Sequence, residues 1–296
     1  MKIFKLLLLA VVSFSFISCV SAQTNKRKTT KESNPKATKP MNNKQDAKPL
    51  KGKIKVIAED AYGTVETPFV FVARSRETYA QLQMLVENLP TASEIDFSKM
   101  AVIAAFAGTK NTGGYSVSIR QTVDKVAVEV IEPPKDAITT DALTMPFQVA
   151  LVPIEEEKSL PLEVSANWKN AMQTYKITSG EFESSGGFAG MLKKFSAEGT
   201  IGILSFGDYA TFIFNLSGKG ANKNMRLTDA ASGVMKEGKI NLARLDAGSF
   251  SEGPKPPLKV SGTLAGGKLS LMFEPLPTNV ADGFQASGKI EAAKIK

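Results

Sequence analysis

Only one stretch of this 296-residue chain repeats its apolar residues at helical spacing. Tyr79, Leu82, Val86 and Leu89 recur every three or four positions, with Met84 and Leu85 widening the stripe. Ser75 stands where a helix cap belongs, Glu77 suits the positive end of the helix dipole, and Pro90 stops the run. The other patterned segments alternate with period two or are short continuous apolar runs. A chain with one helical stripe must build its core from strands.

Those strands fall into two regions. In residues 54–154, 54–58 and 69–72 are short strand-like runs around a turn at Gly63. Met100 to Ala107 is apolar throughout, as a strand covered on both faces should be. Tyr115, Val117 and Ile119 alternate with polar residues, and strands at 126–131 and 146–152 follow. The expected assembly is an α+β domain, one helix on an antiparallel sheet. A joint rich in charge and proline spans 155–172. Residues 173–296 then read as all-β, a small barrel or strongly twisted antiparallel sheet of six to eight strands. Gly238-Lys239-Ile240, Gly267-Lys268-Leu269 and Gly288-Lys289-Ile290 each read as a glycine turn followed by a strand start.

What precedes residue 54 has a different character. Met1 to Lys5 is basic and Leu6 to Ile17 is apolar but short of a membrane span, the pattern of a secretory signal peptide. Two exits are open. Val20-Ser21-Ala22 suits ordinary cleavage, giving a signal of 1–22. Phe16-Ile17-Ser18-Cys19 resembles a loose lipoprotein box, giving a signal of 1–18 with Cys19 lipidated. Residues 23–53 hold Lys, Thr, Asn and Pro and almost no large apolar side chain, so a disordered basic linker is expected. From Gln23 to Lys55 there are eleven bases against two acids, or +9; Val56 to Lys296 has 24 bases and 27 acids, or −3. The overall +8 therefore sits on the tether. The folded body carries no electrostatic footprint for nucleic acid, while the tether reads as a solvated spacer or as a contact for an anionic envelope.

The residue inventory excludes several chemistries. With no histidine and one cysteine, the chain has no Ser-His-Asp triad, no Cys-His pair, no His-ligated metal and no internal disulfide. Segments 233–239 and 262–268 resemble P-loops, but Ile240 and Leu269 stand where the magnesium-binding hydroxyl belongs, so both read as hairpin turns. Glu94, Asp96, Asp136 and Asp141 lie in expected loops with no element to pair them. The expectation is a protein that is not an enzyme and needs no cofactor or metal.

The segment that stands out is Gly108-Thr109-Lys110-Asn111-Thr112-Gly113-Gly114-Tyr115, a glycine- and asparagine-rich loop between two well-defined strands. That loop, with Val126 to Val130, Pro133-Pro134 and the run Thr144-Met145-Pro146-Phe147-Gln148-Val149 to Pro153, resembles the C-terminal domain of the PrcB family. The T-G-G-Y-x-V-x-I loop and the late P-F-x-V strand occur in the family's order, over about residues 52–154. The resemblance implies an accessory or assembly role beside an extracellular serine protease, with no catalysis in the domain. It also implies a display loop of Lys110, Asn111, Thr112, Gly113, Gly114 and Tyr115, with Pro146 and Phe147 on neighbouring structure. A plain turn with Tyr115 as a core plug is the alternative. The loop is more loosely similar to that of chagasin-type inhibitors, and Ser184 to Gly190 to the opening strand of emfourin-type inhibitors.

Three expectations follow: a secreted or envelope-tethered binding protein whose partner is a protease; a protease inhibitor with a displayed loop at 109–115 or 184–190; or a carrier of lipid in the C-terminal β domain, lined by Phe188, Phe195, Phe206, Phe212, Phe214 and Phe273. The expected location is secreted, periplasmic or outer-surface in a bacterium, with lipid anchoring through Cys19 as the open question.

Overall fold

The computed structural model describes residues 53–122, 125–154, 160–185, 194–219, 224–246, 257–276 and 285–295. The signal segment, Cys19, the linker up to Gly52 and most of 184–190 lie outside the described residues.

The first region opens with β1 (Lys55–Asp60), β2 (Pro68–Ala73) and α1 (Arg76–Gln83), and continues with β3 (Met100–Ala107), β4 (Ser116–Gln121), β5 (Val126–Ile131) and β6 (Phe147–Pro153). One antiparallel sheet has the order β1-β6-β3-β2. β3 lies at its centre and is buried along its length apart from Met100, as its unbroken apolar sequence requires. β4 and β5 form a second sheet, completed by β7 (Leu162–Val164), which pairs with β5 in parallel. After β7 comes α2 (Ala166–Ala171), whose Trp168 is fully buried and donates its indole N–H to the carbonyls of Phe69 (3.1 Å) and Phe106 (3.0 Å). The stretch read as a joint thus contributes both a strand and a core tryptophan.

Ser75 caps α1: its hydroxyl accepts from Thr78 N–H at 3.3 Å, while the Thr78 hydroxyl accepts from Ser75 N–H at 3.1 Å. The helix is shorter than its stripe. It ends at Gln83 because Met84 N–H turns back to the Gln81 carbonyl (3.2 Å), and Asn88 takes a left-handed φ of 58° before Pro90. Val86 stays buried all the same, held by its N–H to the Leu82 carbonyl at 3.1 Å.

The second region is a closed barrel of eight antiparallel strands: β8 (Gln173–Ser185), β9 (Lys194–Phe206), β10 (Tyr209–Lys219), β11 (Asn224–Lys236), β12 (Lys239–Asp246), β13 (Pro257–Ala265), β14 (Lys268–Pro275) and β15 (Gln285–Lys294). Each strand pairs with the next, and β15 closes onto β8. Two of the three glycine-lysine elements are turns: Glu237-Gly238 joins β11 to β12, and Gly266-Gly267 joins β13 to β14, all four residues at positive φ. Both P-loop look-alikes are therefore these hairpins. The third element is not a turn. Gly288 lies inside β15, where a side chain would collide with the Phe182 ring 2.2 Å away.

The barrel interior is packed ring on ring. Phe182 and Phe273 have centroids 5.0 Å apart, Phe214 and Phe273 6.1 Å, and Phe212 and Phe214 6.2 Å. Phe206 points the other way, onto Phe69 of the first region at 6.2 Å. Phe188 and the side chain of Phe195 lie outside the described residues. Along β14, Leu269, Leu271 and Phe273 are buried while Lys268, Met272 and Glu274 are exposed. An apolar inside and a largely polar outside invert the pattern of a lipid-facing barrel.

The barrel keeps its own interior core, and its outer wall adds to the core of the first region. Leu204 and Ala230 from the barrel wall are buried with the first region's side chains, and Phe206, Tyr209 and Ile213 pack against them. β2 would otherwise be an open sheet edge. Barrel hydroxyls occupy it: Val72 N–H donates to Ser232 Oγ at 2.7 Å, and the Thr211 hydroxyl donates to the Val70 carbonyl. Beside them Arg74 and Asp229 form an ion pair with side chains 2% and 0% exposed, and Asp229 also accepts from the Leu160 (2.9 Å) and Ala230 (2.8 Å) N–H groups.

Candidate functional site

At the end of the first sheet where β3 finishes and β6 begins, three connections meet: 61–67, 108–115 and 132–146. The 108–115 loop is tied down on several sides. Thr109 N–H donates to the Glu66 carbonyl at 2.9 Å. Lys110 and Thr144 exchange a pair of backbone hydrogen bonds at 2.7 and 2.9 Å, and Gly113 N–H donates to the Thr140 carbonyl at 3.0 Å. The Thr144 hydroxyl, itself buried, donates to the Thr112 carbonyl at 2.9 Å. Both glycines are required by their surroundings. A side chain on Gly113 would lie 2.3 Å from Thr140 Oγ1, and Gly114 has φ +85° with Pro133 Cβ 2.9 Å from where its own Cβ would be.

Lys110 crosses beneath the loop. Its ammonium donates to Asn167 Oδ1 of α2 at 2.7 Å and lies 5.7 Å from the centre of the Tyr115 ring. Asn167 in turn donates to the Ala107 carbonyl at 3.1 Å. Burial pushes the Lys110 pKa below the usual lysine range, against the opposing pull of the Glu132 carboxylate. This lysine braces the loop and is not a free cation.

The expected display residues separate by exposure. Asn111 and Gly114 face solvent; Lys110, Thr112 and Tyr115 are half-buried; Gly113 is buried. Pro146 is buried too, and Phe147 is half-buried with its ring 5.9 Å from that of Phe106. Gly113, Pro146 and Phe147 shape the platform beneath Asn111 and Gly114.

Three residues at this end were not singled out by sequence. Tyr62 is 66% exposed, Leu143 65% and Ile138 105%. Tyr62 bridges to Met145, next to the Thr144–Lys110 pair, and Leu143 precedes that pair. Ile138 precedes Thr139, whose methyl would lie 3.4 Å from a side chain on Gly114. The available signal was weak: three large apolar residues in connections, each flanked by a small residue. Charge gathers here as well. Glu132, Asp136 and Asp141, with Asp60 and Glu66, stand against Lys110 and Lys135, a net of −3 that accounts for the entire excess of the folded body.

Fold and surface together define a two-part β protein: a barrel braced against an α+β module, with a rigid, partly apolar loop cluster at the module's free end. Residues 101–153 of that module match the family model described as PrcB C-terminal. The match runs from β3 through the braced loop to the end of β6, and it bears out the resemblance read from the loop and the late proline-phenylalanine strand. No curated protein matches the chain, and no solved structure does.

Proposed function

We propose that this chain is a non-enzymatic accessory subunit, tethered to or secreted from a bacterial envelope, that binds an extracellular protease through the loop end of its first module. The observation that carries the reading is the coincidence of the PrcB C-terminal match, residues 101–153, with a loop held rigid from beneath while Asn111 and Gly114 face outward. A loop ordered before binding loses little conformational entropy when a partner docks. The histidine-free composition favours a contact role over a catalytic one.

The test is purification of the tagged chain from its native envelope under gentle extraction. The expected co-purifying species is a protease in near-stoichiometric amount, retained less well by Asn111→Ala. Recovery of wall polymer alone, or of no protease, would overturn the proposal. The same rigidity suits an inhibitor whose loop enters a protease cleft. Titration against cysteine, serine and metalloproteases separates the two readings, because an accessory subunit leaves turnover intact. Lipid carriage has less support, since Phe182, Phe212, Phe214 and Phe273 already pack against one another inside the barrel.

A further inference from the structure

Two properties of the molecule are polarised along the first sheet. The chain enters β1 at Lys55, paired with Leu151, and β1 runs about 17 Å to Asp60, paired with Phe147 at the loop end. The described chain therefore enters the sheet at one end, with Lys53 and Lys55, and the −3 cluster occupies the other. At that acidic end Tyr62, Ile138 and Leu143 are exposed although each belongs to a connection held by backbone hydrogen bonds or bridges. Exposing large apolar residues on held backbone has no folding benefit, whereas an apolar centre inside a charged rim is the make-up of a protein interface.

Resting on the accessory-subunit reading, we infer that the docking surface is this composite face, with Tyr62, Ile138 and Leu143 as its apolar centre, and that its occupant is a protein segment carrying apolar side chains flanked by lysine or arginine. Charge complementarity decides the occupant's sign. Glu132, Asp136 and Asp141 rim the face. Of the two lysines, Lys110 is engaged by Asn167 and Tyr115, which leaves Lys135 as the cation that projects among them. An anionic polymer or anionic lipid surface would be repelled here, and a basic, apolar segment would be steered in. The chain's own tether has the right charge but only Met41 and Leu50 as large apolar residues between Gln23 and Gly52, too few to fill the centre.

The experiment selects a phage-displayed library of random peptides on the full secreted chain, on Ile138→Glu/Leu143→Glu, and on Glu132→Lys/Asp136→Lys/Asp141→Lys. All five positions are exposed, and thermal unfolding of each variant checks that the fold is kept. The expected peptides combine Lys or Arg with Leu, Ile, Val or an aromatic residue. They should bind either variant about tenfold more weakly than the parent chain, a loss of about 1.4 kcal/mol, and release as salt rises. Peptides that are acidic, or that bind parent and variants equally, overturn the inference, as does failure to select any. Deleting residues 24–52 adds a further check: peptide binding that emerges only after deletion makes the tether the occupant and overturns it as well. Native purification separates this inference from the one on which it rests. A protease retained equally by parent and variants removes the composite face and keeps the accessory role. Basic apolar peptides bound at the face with no protease recovered keep the face and remove that role.

Discussion

The barrel and the α+β module are both mostly strand, yet they satisfy their backbones in opposite ways. In the barrel every strand pairs with its sequence neighbour, and one long-range pairing, Gln285 with Ser185, closes the ring. Closure removes sheet edges among the described strands, and the short turns at Gly207, Gly238 and Gly267 keep connections tight. In the module β1 and β3 both pair with β6, far along the chain, and β5 takes β7 in parallel. Such pairing demands long connections, and those connections gather at one end of the sheet. The difference teaches where a contact surface can arise. The barrel has little loop to spare at its tight-turn end, where it supports β2, while the module holds ordered loops that its own folding does not consume.

The support is concentrated in one buried ion pair, so the largest expected effect comes from breaking it. Asp229→Ala leaves the Arg74 guanidinium buried, with the Leu160 and Ala230 N–H groups deprived of the same acceptor. A loss of about 3–5 kcal/mol is expected. Trp168 is the chain's one tryptophan and lies in the module, so its fluorescence reports there, while far-ultraviolet circular dichroism is weighted towards the barrel. In the parent chain the two signals should change together during urea unfolding, because the barrel wall is part of the module's core. In Asp229→Ala both midpoints should fall, the tryptophan signal first. A loss below about 1 kcal/mol would show that hydroxyl and aromatic contacts, not the ion pair, join the regions.

Much of the barrel was legible because its pattern is local. Alternation along 210–216 and the glycine turns at 238 and 267 follow from neighbouring residues alone. Closure was left open between a barrel and a twisted sheet, since β8 and β15 meet across a hundred residues of sequence. Gly288 misled for a related reason: its small size answers the Phe182 ring on another strand and no turn nearby. The stretch 155–172 concealed its part in the core because a three-residue strand and a six-residue helix are too short to display a period. Trp168 in that stretch was the overlooked signal. At the candidate site, the loop was legible through Gly113 and Gly114, whose freedom the backbone uses. Its bracing by Thr140, Thr144 and Asn167 was not, because each partner sits at least 27 residues away from the glycine or lysine it holds. The exposed trio was hidden because exposure is a tertiary property, and a lone Ile138 in sequence is as easily a core residue.

A middle-sized effect sharpens the contrast from the module's side. Gly114→Ala places a side chain at φ +85° and 2.9 Å from Pro133 Cβ. The strain is about 1–2 kcal/mol. Because the loop lies at the free end of the module, the barrel should keep its circular dichroism and the urea midpoint should fall only modestly. Retention of the partner should drop more than stability does, as the strand-to-strand path 108–115 shifts. Equal retention by parent and variant would show that the loop's shape does not enter the contact.

The smallest effect concerns how tightly the module's helix is closed, and it has a pH signature that tryptophan fluorescence reads in the module. The Tyr79 hydroxyl donates to the Pro90 carbonyl at 2.9 Å, the contact that folds the chain back after α1. Burial pushes its pKa up from 10.0 to about 12, with the Glu94 carboxylate adding to the rise. A group with a raised folded-state pKa contributes stability that is fully present below its unfolded value, here pH 10, and is lost as pH climbs through 12. The parent chain should therefore lose tryptophan-reported stability across that interval. Tyr79→Phe should begin about 1 kcal/mol less stable at neutral pH, from the missing hydrogen bond, and should lose less between pH 10 and 12 than the parent does. Because the variant keeps the ring among its apolar neighbours, the difference isolates the hydroxyl. If parent and variant decline in parallel, alkaline unfolding starts elsewhere, and the turn after α1 is held by apolar packing of Tyr79 against Phe97 rather than by its phenol.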